Sequence, residues 1–276
     1  SNYIKPIQEC AYLIAQLDCL QSFATISQQK NFCRPTLTND TSHLTLTASR
    51  HPVLEHQHPN TIISNTISVT NSDHIFLITG PNMAGKSTIM KQVALAVIMA
   101  QAGCYVAADQ ASIGIVDRCF TRIGASDNLT SGQSTFMVEM VETATILHNA
   151  TNKSLILLDE IGRGTSTYDG MSIAGAVIQF IHDKIGARTL FATHYHELTS
   201  IEATCSCLKN VSMEIQEDNN QLAFTYKLIN GPADKSYGIH VAQMAGLPDS
   251  VVSHARLLLQ GYESTNHHPE QMRLFK

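Results

Sequence analysis

The chain has 276 residues, of which 43% are hydrophobic, and a formal net charge of −5. This is enough to bury one large α/β core with a smaller helical or β appendage, while the acidic balance argues against a surface built mainly to grip a polyanion. No segment approaches the run of about 20 apolar residues that a membrane span needs, and the seven scattered cysteines, with no C-x-x-C pair, read as reduced thiols of a cytoplasmic protein.

Ser1-Asn2 reads as a cloning remnant. Residues 3–27 then predict an amphipathic helix with Cys10, Leu13, Ile14, Leu17 and Leu20 on one stripe. It begins without a convincing cap, as expected for a fragment of a longer protein. Arg34-Pro35 breaks the pattern, and residues 44–54 read as strands around the turn Ser49-Arg50-His51-Pro52.

The run His74-Ile-Phe-Leu-Ile-Thr79 leads straight into Gly80-Pro-Asn-Met-Ala-Gly-Lys-Ser-Thr88. A buried strand feeding a glycine turn that opens a helix is a P-loop, G-x-x-x-x-G-K-[ST], and suits a nucleoside triphosphate. Gly80 and Gly85 let backbone N–H groups face phosphate oxygens, Lys86 reaches the β and γ phosphates, and Ser87 offers a hydroxyl to Mg²⁺. The helix from Lys86 adds its positive end. The candidate nucleotide-binding set in this loop is therefore Gly80, Pro81, Asn82, Met83, Ala84, Gly85, Lys86, Ser87 and Thr88. The apolar stretch 93–100 reads as helix buried all round.

Short strands are expected near Tyr105 and over 116–123, and a helix over 134–150 with Phe136, Met140, Ala144 and Leu147 on one face. Ser134 then lies at the helix start, where a hydroxyl and free N–H groups can bind an anion or simply cap the helix. Within one subunit the cap suffices; an anion-binding role needs a second subunit whose γ-phosphate faces this helix end. The apolar strand 154–158 ends in Asp159-Glu160. An isolated Asp-Glu pair is an ordinary solvated strand end, but after four apolar residues downstream of a P-loop it reads as catalytic. Asp159 then holds Mg²⁺ through water and Glu160 polarises the attacking water. A helix over 171–185 and a strand over 188–192 follow, and Thr193-His194 emerges on the phosphate side, placing His194 to sense the γ-phosphate or to serve structurally. Residues 211–216 and 222–229 flank Glu-Asp-Asn-Asn as an edge hairpin. Two short helices, near 238–245 and 248–260, close the domain. Strands alternating with helices imply a mostly parallel sheet covered on both faces, of the α/β P-loop NTPase class.

Several motifs resemble the ATPase domain of the MutS family of DNA mismatch repair proteins. They are the P-loop itself, Phe120-Thr-Arg-Ile-Gly-Ala-Ser-Asp127, Ser131-Gly-Gln-Ser-Thr-Phe-Met-Val-Glu-Met140, Leu158-Asp-Glu-Ile-Gly-Arg-Gly-Thr-Ser-Thr-Tyr-Asp-Gly170, Phe191-Ala-Thr-His-Tyr-His-Glu-Leu198 and Lys235-Ser-Tyr-Gly-Ile-His-Val-Ala242. The resemblance implies an ABC-like P-loop fold, binding of ATP and ADP with Mg²⁺, and an ATP-dependent homodimer with composite sites. It implies that Asn82 lies by the γ-phosphate, Ser134 is presented in trans, His194 is the switch histidine, and the segment 162–170 crosses to the partner. Many bacterial relatives sandwich the adenine between a phenylalanine and a histidine; the corresponding places here hold Ile62 and Tyr226, an aliphatic and an aromatic contact.

On this resemblance residues 1–35 are the end of a long lever helix, 36–260 the ATPase and dimerisation domain, and 261–276 a flexible tail. Mismatched DNA is held by domains absent from the fragment, and a MutL-family protein is an expected partner. Gln271-Met-Arg-Leu-Phe275 resembles peptides that dock on the sliding clamp, with Leu274 and Phe275 as apolar anchors and Gln271 fixing orientation. Two alternatives stand beside this reading. One is the MutS-like paralogue that acts on branched DNA or stalled ribosomes, against which Met83 and the Ser-Thr-Phe-Met-Val-Glu-Met run speak. The other is a non-hydrolysing scaffold, against which Glu160 speaks.

Overall fold

The computed structural model describes residues 3–41, 43–59, 61–124, 134–218, 221–233 and 237–266. The expectations for 125–133, for Lys235 and for Gln271, Leu274 and Phe275 lie outside these. The first helix, α1 (Ile4–Gln29), indeed lacks a side-chain cap at Tyr3. Its predicted stripe is not packed: Leu13, Ile14, Leu17 and Leu20 are all more than 60% exposed, and Ser27 is the one buried residue of the helix.

After α1 come β1 (Thr36–Thr38) and β2 (Leu44–Ser49). The second predicted strand of this region is instead a helix, α2 (Pro52–Gln57). His51 Nδ1 accepts a hydrogen bond from the Leu54 amide at 3.4 Å. Pro52 sits in the first turn, where its missing N–H would have no partner anyway. β3 (Asn65–Val69) alternates buried and exposed positions, whereas every residue of β4 (Ile75–Thr79) is buried. A 3₁₀ turn over Asn82–Ala84 leads to α3 (Lys86–Gln101), which buries Ile89, Met90, Val93 and Val97. Ile98 is 53% exposed, so α3 is not surrounded as its composition suggested.

β5 (Gln110–Gly114) and β6 (Cys119–Arg122) follow; near Tyr105 there is only an isolated bridge between Val106 and Cys33. Next are α4 (Thr135–Asn149), β7 (Leu155–Asp159) and α5 (Thr167–Phe180), which runs into a π turn, Ile181–Ile185. α5 begins at Thr167 rather than Met171 because Ser166 caps it, accepting from the Asp169 amide at 3.3 Å. β8 (Arg188–Ala192), a 3₁₀ segment (His196–Ala203), β9 (Leu208–Asp218), β10 (Gln221–Asn230), α6 (Gly238–Met244) and α7 (Asp249–Asn266) complete the order. At 18 residues α7 is longer than predicted.

Two sheets form among the described residues. The larger has the order β10-β9-β4-β8-β7-β6, parallel throughout except for the β9/β10 edge hairpin. Its inner strands β4 and β7 read as apolar runs because both faces are covered. On one face Phe76, Ile78, Leu155 and Leu157 pack with α3; on the other Ile75, Leu77, Ile156 and Leu158 pack with Ile146 of α4 and Ala174, Val177 and Ile178 of α5. Each such large aliphatic contributes about 1.5–3 kcal/mol of burial. The smaller sheet, β1-β5-β2-β3, adds Leu44, Leu46, Ile67 and Ile113 to the α3 side.

Arg188, 1% exposed at the start of β8, joins the two sheets. Its guanidinium donates to the carbonyls of Gly114 (2.8 Å), Lys153 (3.1 Å), Ile115 (3.3 Å) and His43 (3.4 Å). Burial pushes its pKa down, with Asp117 and Asp40 acting the other way. An Arg188→Met substitution keeps the stem but strands these carbonyls, and should cost roughly 3 kcal/mol in urea unfolding at unchanged slope. A loss below about 0.5 kcal/mol would show that the carbonyls find other donors.

Candidate functional site

The carboxyl ends of three adjacent strands bring the candidate site residues together. β4 opens into the glycine turn, its neighbour β8 into Thr193-His194, and β7, beside β8, ends in Asp159 and continues to Glu160. Two amides fasten these ends across the sheet: Thr193 donates to Ile78 O (3.1 Å) and Glu160 to Ala192 O (2.9 Å). Gly85 closes the turn with φ +96°, a left-handed conformation that disfavours a side chain. Ala84 is fully buried beneath it, while Met83 is 59% exposed.

Lys86 is 2% exposed, and its Nζ donates to Gly80 O at 2.6 Å across the loop. Burial pulls its pKa from 10.5 down to about 8, opposed by the Glu160 and Asp159 carboxylates. The next side chain, Ser87, donates to Asp159 Oδ2 at 2.5 Å. Burial raises the Asp159 carboxyl, the neighbouring Glu160 adds to the rise, and the Ser87 hydrogen bond opposes it.

Glu160 is the centre of a second cluster. Its φ is +61°, unusual for a residue with a side chain, and is held by the surrounding bonds. His194 Nε2 and the Arg163 guanidinium both meet its carboxylate. Burial acts to raise the Glu160 pKa, but the His194 bond with the charges of His194, Arg163 and Lys86 leaves it below the usual glutamate value. Asn82 joins them. One orientation of its amide offers Oδ1 to Lys86 at 3.4 Å; the reverse donates to Glu160 Oε1 (2.6 Å) and accepts from Arg163 (2.9 Å). The second satisfies both ends of the amide and is the chemically consistent one. Burial lowers the pKa of nearby His196.

The loop is flanked by two hollows. One of about 220 Å³ is lined by Gly80, Pro81, Asn82, Met83, His194 and His196, with Tyr237 and Gly238 opposite. The other, about 300 Å³, adjoins Gly85 and Thr88 and is walled by Ile62 and Tyr226. A Cβ at Gly85 would meet the Tyr226 ring at 3.2 Å, so that ring leans on the loop. Tyr226 holds φ +57° at an irregularity in the β9/β10 pairing. Asn65, 6% exposed, clasps this irregularity: its Nδ2 donates to Tyr226 O (3.0 Å) and its Oδ1 accepts from the Leu228 amide (2.7 Å). A wider hollow of about 520 Å³ under α1, near Phe23, Phe32 and Tyr105, lies among none of these groups.

Ser134 caps α4, accepting from the Met137 amide at 3.2 Å, and its own side is exposed. It makes no hydrogen bond to the Lys86 or Glu160 clusters among the described residues. Four side chains of the site region were not singled out from the sequence: Asn65 and Gln92, which lie in no motif, and Glu139 and Arg163, which lie inside motifs named above but carried no assigned role there. Gln92 is 3% exposed on the wall of the Tyr226 hollow, and its Nε2 has no partner among the described residues. For Asn65, Gln92 and Glu139 the available signal was a polar residue at a position where the helix or strand period calls for an apolar one. The cysteines are free, as expected, and no group of three or more His, Cys, Asp or Glu able to hold a metal occurs among the described residues.

Comparison with known proteins places this geometry. The family model described as MutS domain V matches residues 76–263. The DNA mismatch repair protein MutS of Lactobacillus gasseri is 53% identical over 263 residues, which cover 95% of this chain and 31% of that protein. Its counterpart in Methanococcoides burtonii is 54% identical over 266 residues, covering 95% and 30%. That of Halalkalibacterium halodurans is 52% identical over 263 residues, covering 95% and 30%. The chain thus spans about a third of the length of these curated relatives.

The depressed Lys86 pKa has a testable consequence. Between pH 8 and 10.5 the unfolded chain binds the proton that the folded one has lost, so stability rises with pH in that window and is flat below it. Relative to a Lys86→Met variant, the nucleotide-free parent should gain up to about 3 kcal/mol on going from pH 8 to 10.5. Parallel stability curves across that window would contradict the burial of a charged amine.

Proposed function

Because the chain belongs to the MutS domain V family, we propose that it is the ATP-binding and ATP-hydrolysing dimerisation domain of a DNA mismatch repair protein, converting nucleotide state into movement of parts that hold mismatched DNA. Those parts lie in regions of the longer relatives that this chain does not cover. The observation that carries the reading is the 2.5 Å contact of Ser87 with Asp159, made beside the buried Lys86 and the Glu160 cluster.

In this reading the turn Gly80–Gly85 cradles the triphosphate of ATP, and Lys86 reaches its β and γ oxygens. Ser87, whose hydroxyl meets the Asp159 carboxylate, would hold Mg²⁺ directly, and Asp159 would hold it through water. Bound there, Mg²⁺ would offset the negative charge that develops on the transferring phosphoryl group. Glu160, ionised at neutral pH because its pKa is lowered, orients a water toward the γ-phosphorus and accepts its proton. The water oxygen bonds to that phosphorus as the bond to the β–γ bridging oxygen breaks, leaving ADP and phosphate. Asn82 and His194, both against Glu160, lie by the γ-phosphate, and His194 reports its loss.

The adenine enters the hollow between Ile62 and Tyr226, beside Thr88. Exposed Ser134, at a helix N-terminus, is presented to the γ-phosphate of a second copy, so the active form is a homodimer with an ABC-like sharing of sites. The segment 162–170 crosses toward the partner. A MutL-family protein is a partner of the assembled protein, and the peptide bearing Gln271, Leu274 and Phe275 docks on a sliding clamp. No described helix is long and apolar enough to cross a membrane.

Specific ATPase activity should climb with protein concentration as dimers form, and Glu160→Gln should retain ATP binding while turning over about 10²-fold or more slowly. A rate independent of concentration would remove the shared site and leave the cis chemistry alone. Releasing the Tyr226 clasp with Asn65→Ala should weaken nucleotide affinity by about tenfold with little change in turnover at saturation. Unchanged affinity would take the base out of that hollow.

A further inference from the structure

Glu139 is 5% exposed, a carboxylate buried on the inner side of α4. Its Oε1 accepts from the Gly162 amide at 2.5 Å, and its Oε2 faces Arg122 at 3.6 Å. Arg122, also held by Glu142 at 2.9 Å, terminates β6. From the opposite side the Tyr195 hydroxyl donates to Gly162 O at 2.9 Å. Both polar backbone groups of Gly162 are therefore gripped by side chains from other elements.

Gly162 is built for that grip. It holds φ +94°, and a Cβ there would meet Gly170 O at 2.5 Å, so the turn between β7 and α5 is folded back on itself with no room for a side chain. Glu160 lies two residues upstream, in its own left-handed conformation, and Arg163, which meets the Glu160 carboxylate, is the next residue downstream. Where Gly162 sits thus fixes where both members of that ion pair sit.

We propose that Glu139 and Tyr195 are positioning residues that clamp Gly162 and thereby hold the Glu160 carboxylate at the γ-phosphate, coupling its aim to helix α4. This rests on the reading of Glu160 as the group that activates water. The coupling has a direct route. Glu139 is five residues along α4 from Ser134, about 7.5 Å of helix rise, so one rigid element carries both the exposed helix end and the clamp. A shift of α4 when Ser134 meets a second copy's nucleotide moves the Gly162 amide with it. A misplacement of about 1 Å at a reacting group can cost about 10²-fold in rate, so small motions are enough. Burial raises the Tyr195 pKa, with Glu139 adding to the rise, so its hydroxyl stays protonated and able to donate at physiological pH.

The test measures kcat, nucleotide Kd and melting temperature for the 276-residue chain and for Glu139→Ala, Glu139→Gln, Tyr195→Phe and Glu160→Gln. Glu139→Ala should lower kcat by about 10- to 100-fold, as loss of a supporting side chain does around other sites, with Kd for ADP within about twofold of the parent. Glu139→Gln retains an acceptor for the Gly162 amide and should recover kcat to within about threefold of the parent. Tyr195→Phe, which removes one hydroxyl, should lower kcat by about three- to tenfold at unchanged Kd. Should Glu139→Ala fail to fold, the Tyr195→Phe and Glu139→Gln results decide the matter.

A parent-like kcat in Tyr195→Phe or Glu139→Ala overturns the clamp. So does a loss in which kcat, affinity and melting temperature fall together without rescue by glutamine, for that is a structural residue. If Glu160→Gln is slow while Glu139→Ala is parent-like, the clamp fails and the role of Glu160 stands. If Glu160→Gln turns over like the parent, that role fails first and the clamp falls with it.

Discussion

The arrangement rests on one buried ammonium. Lys86 is 2% exposed, and among the described residues its close partner is the Gly80 carbonyl of the loop it closes. An amine with its pKa pulled to about 8 by burial is tolerated because two carboxylates stand near it, those of Glu160 and Asp159. They are near because β4, β8 and β7 are adjacent parallel strands whose ends lie at one edge. Parallel pairing, buried on both faces, is thus what brings a cation and two anions together at one site.

Around that centre the fold supplies rigidity through backbone groups rather than through additional charges. Asn65 holds both sides of the hairpin irregularity that turns Tyr226 toward Gly85. Glu139 and Tyr195 hold both polar groups of Gly162. Arg188 gathers carbonyls from the smaller sheet and from the turn before β7. In each case polar side chains bond to the main chain of a distant segment, so the geometry survives only if both segments stay in place. Preorganisation of this kind is what a site needs if its groups are to act on a phosphate without first rearranging.

Much of this was legible in the residues, and the reason is local. The strand before the P-loop and the strand ending in Asp159-Glu160 are apolar runs that end abruptly in small or charged residues, Leu190-Phe-Ala192 leads likewise into Thr193-His194, and the P-loop itself is a fixed motif, so their identity needs no tertiary information. Of the smaller sheet only β2 was read as a strand, within the stretch 44–54, and its pairing was not legible. β5 pairs with β1 and β2, far away in sequence, and the strands are short, so no local pattern announces the pairing. Pro52 disguised a helix as a turn. The apolar stripe of α1 predicted burial that the described residues do not provide, since periodicity reports what a face could cover and not what covers it. The role of Glu139 was hidden for the opposite reason: a carboxylate on the core-facing side of α4 breaks the helix pattern, and the two motifs that contain Glu139 and Gly162 do not say that its carboxylate meets that amide.

The most direct measurement of the central claim, a triphosphate gripped by one copy and completed by another, mixes two inactive variants. Lys86→Ala should lose nucleotide binding while keeping Ser134; Ser134→Ala should bind nucleotide in a site that lacks the partner's hydroxyl. Mixed in equal amounts, they form heterodimers with one intact composite site, and the account predicts ATP turnover well above the sum of the two variants measured alone. Turnover no greater than that sum, with heterodimers demonstrably formed, would contradict it.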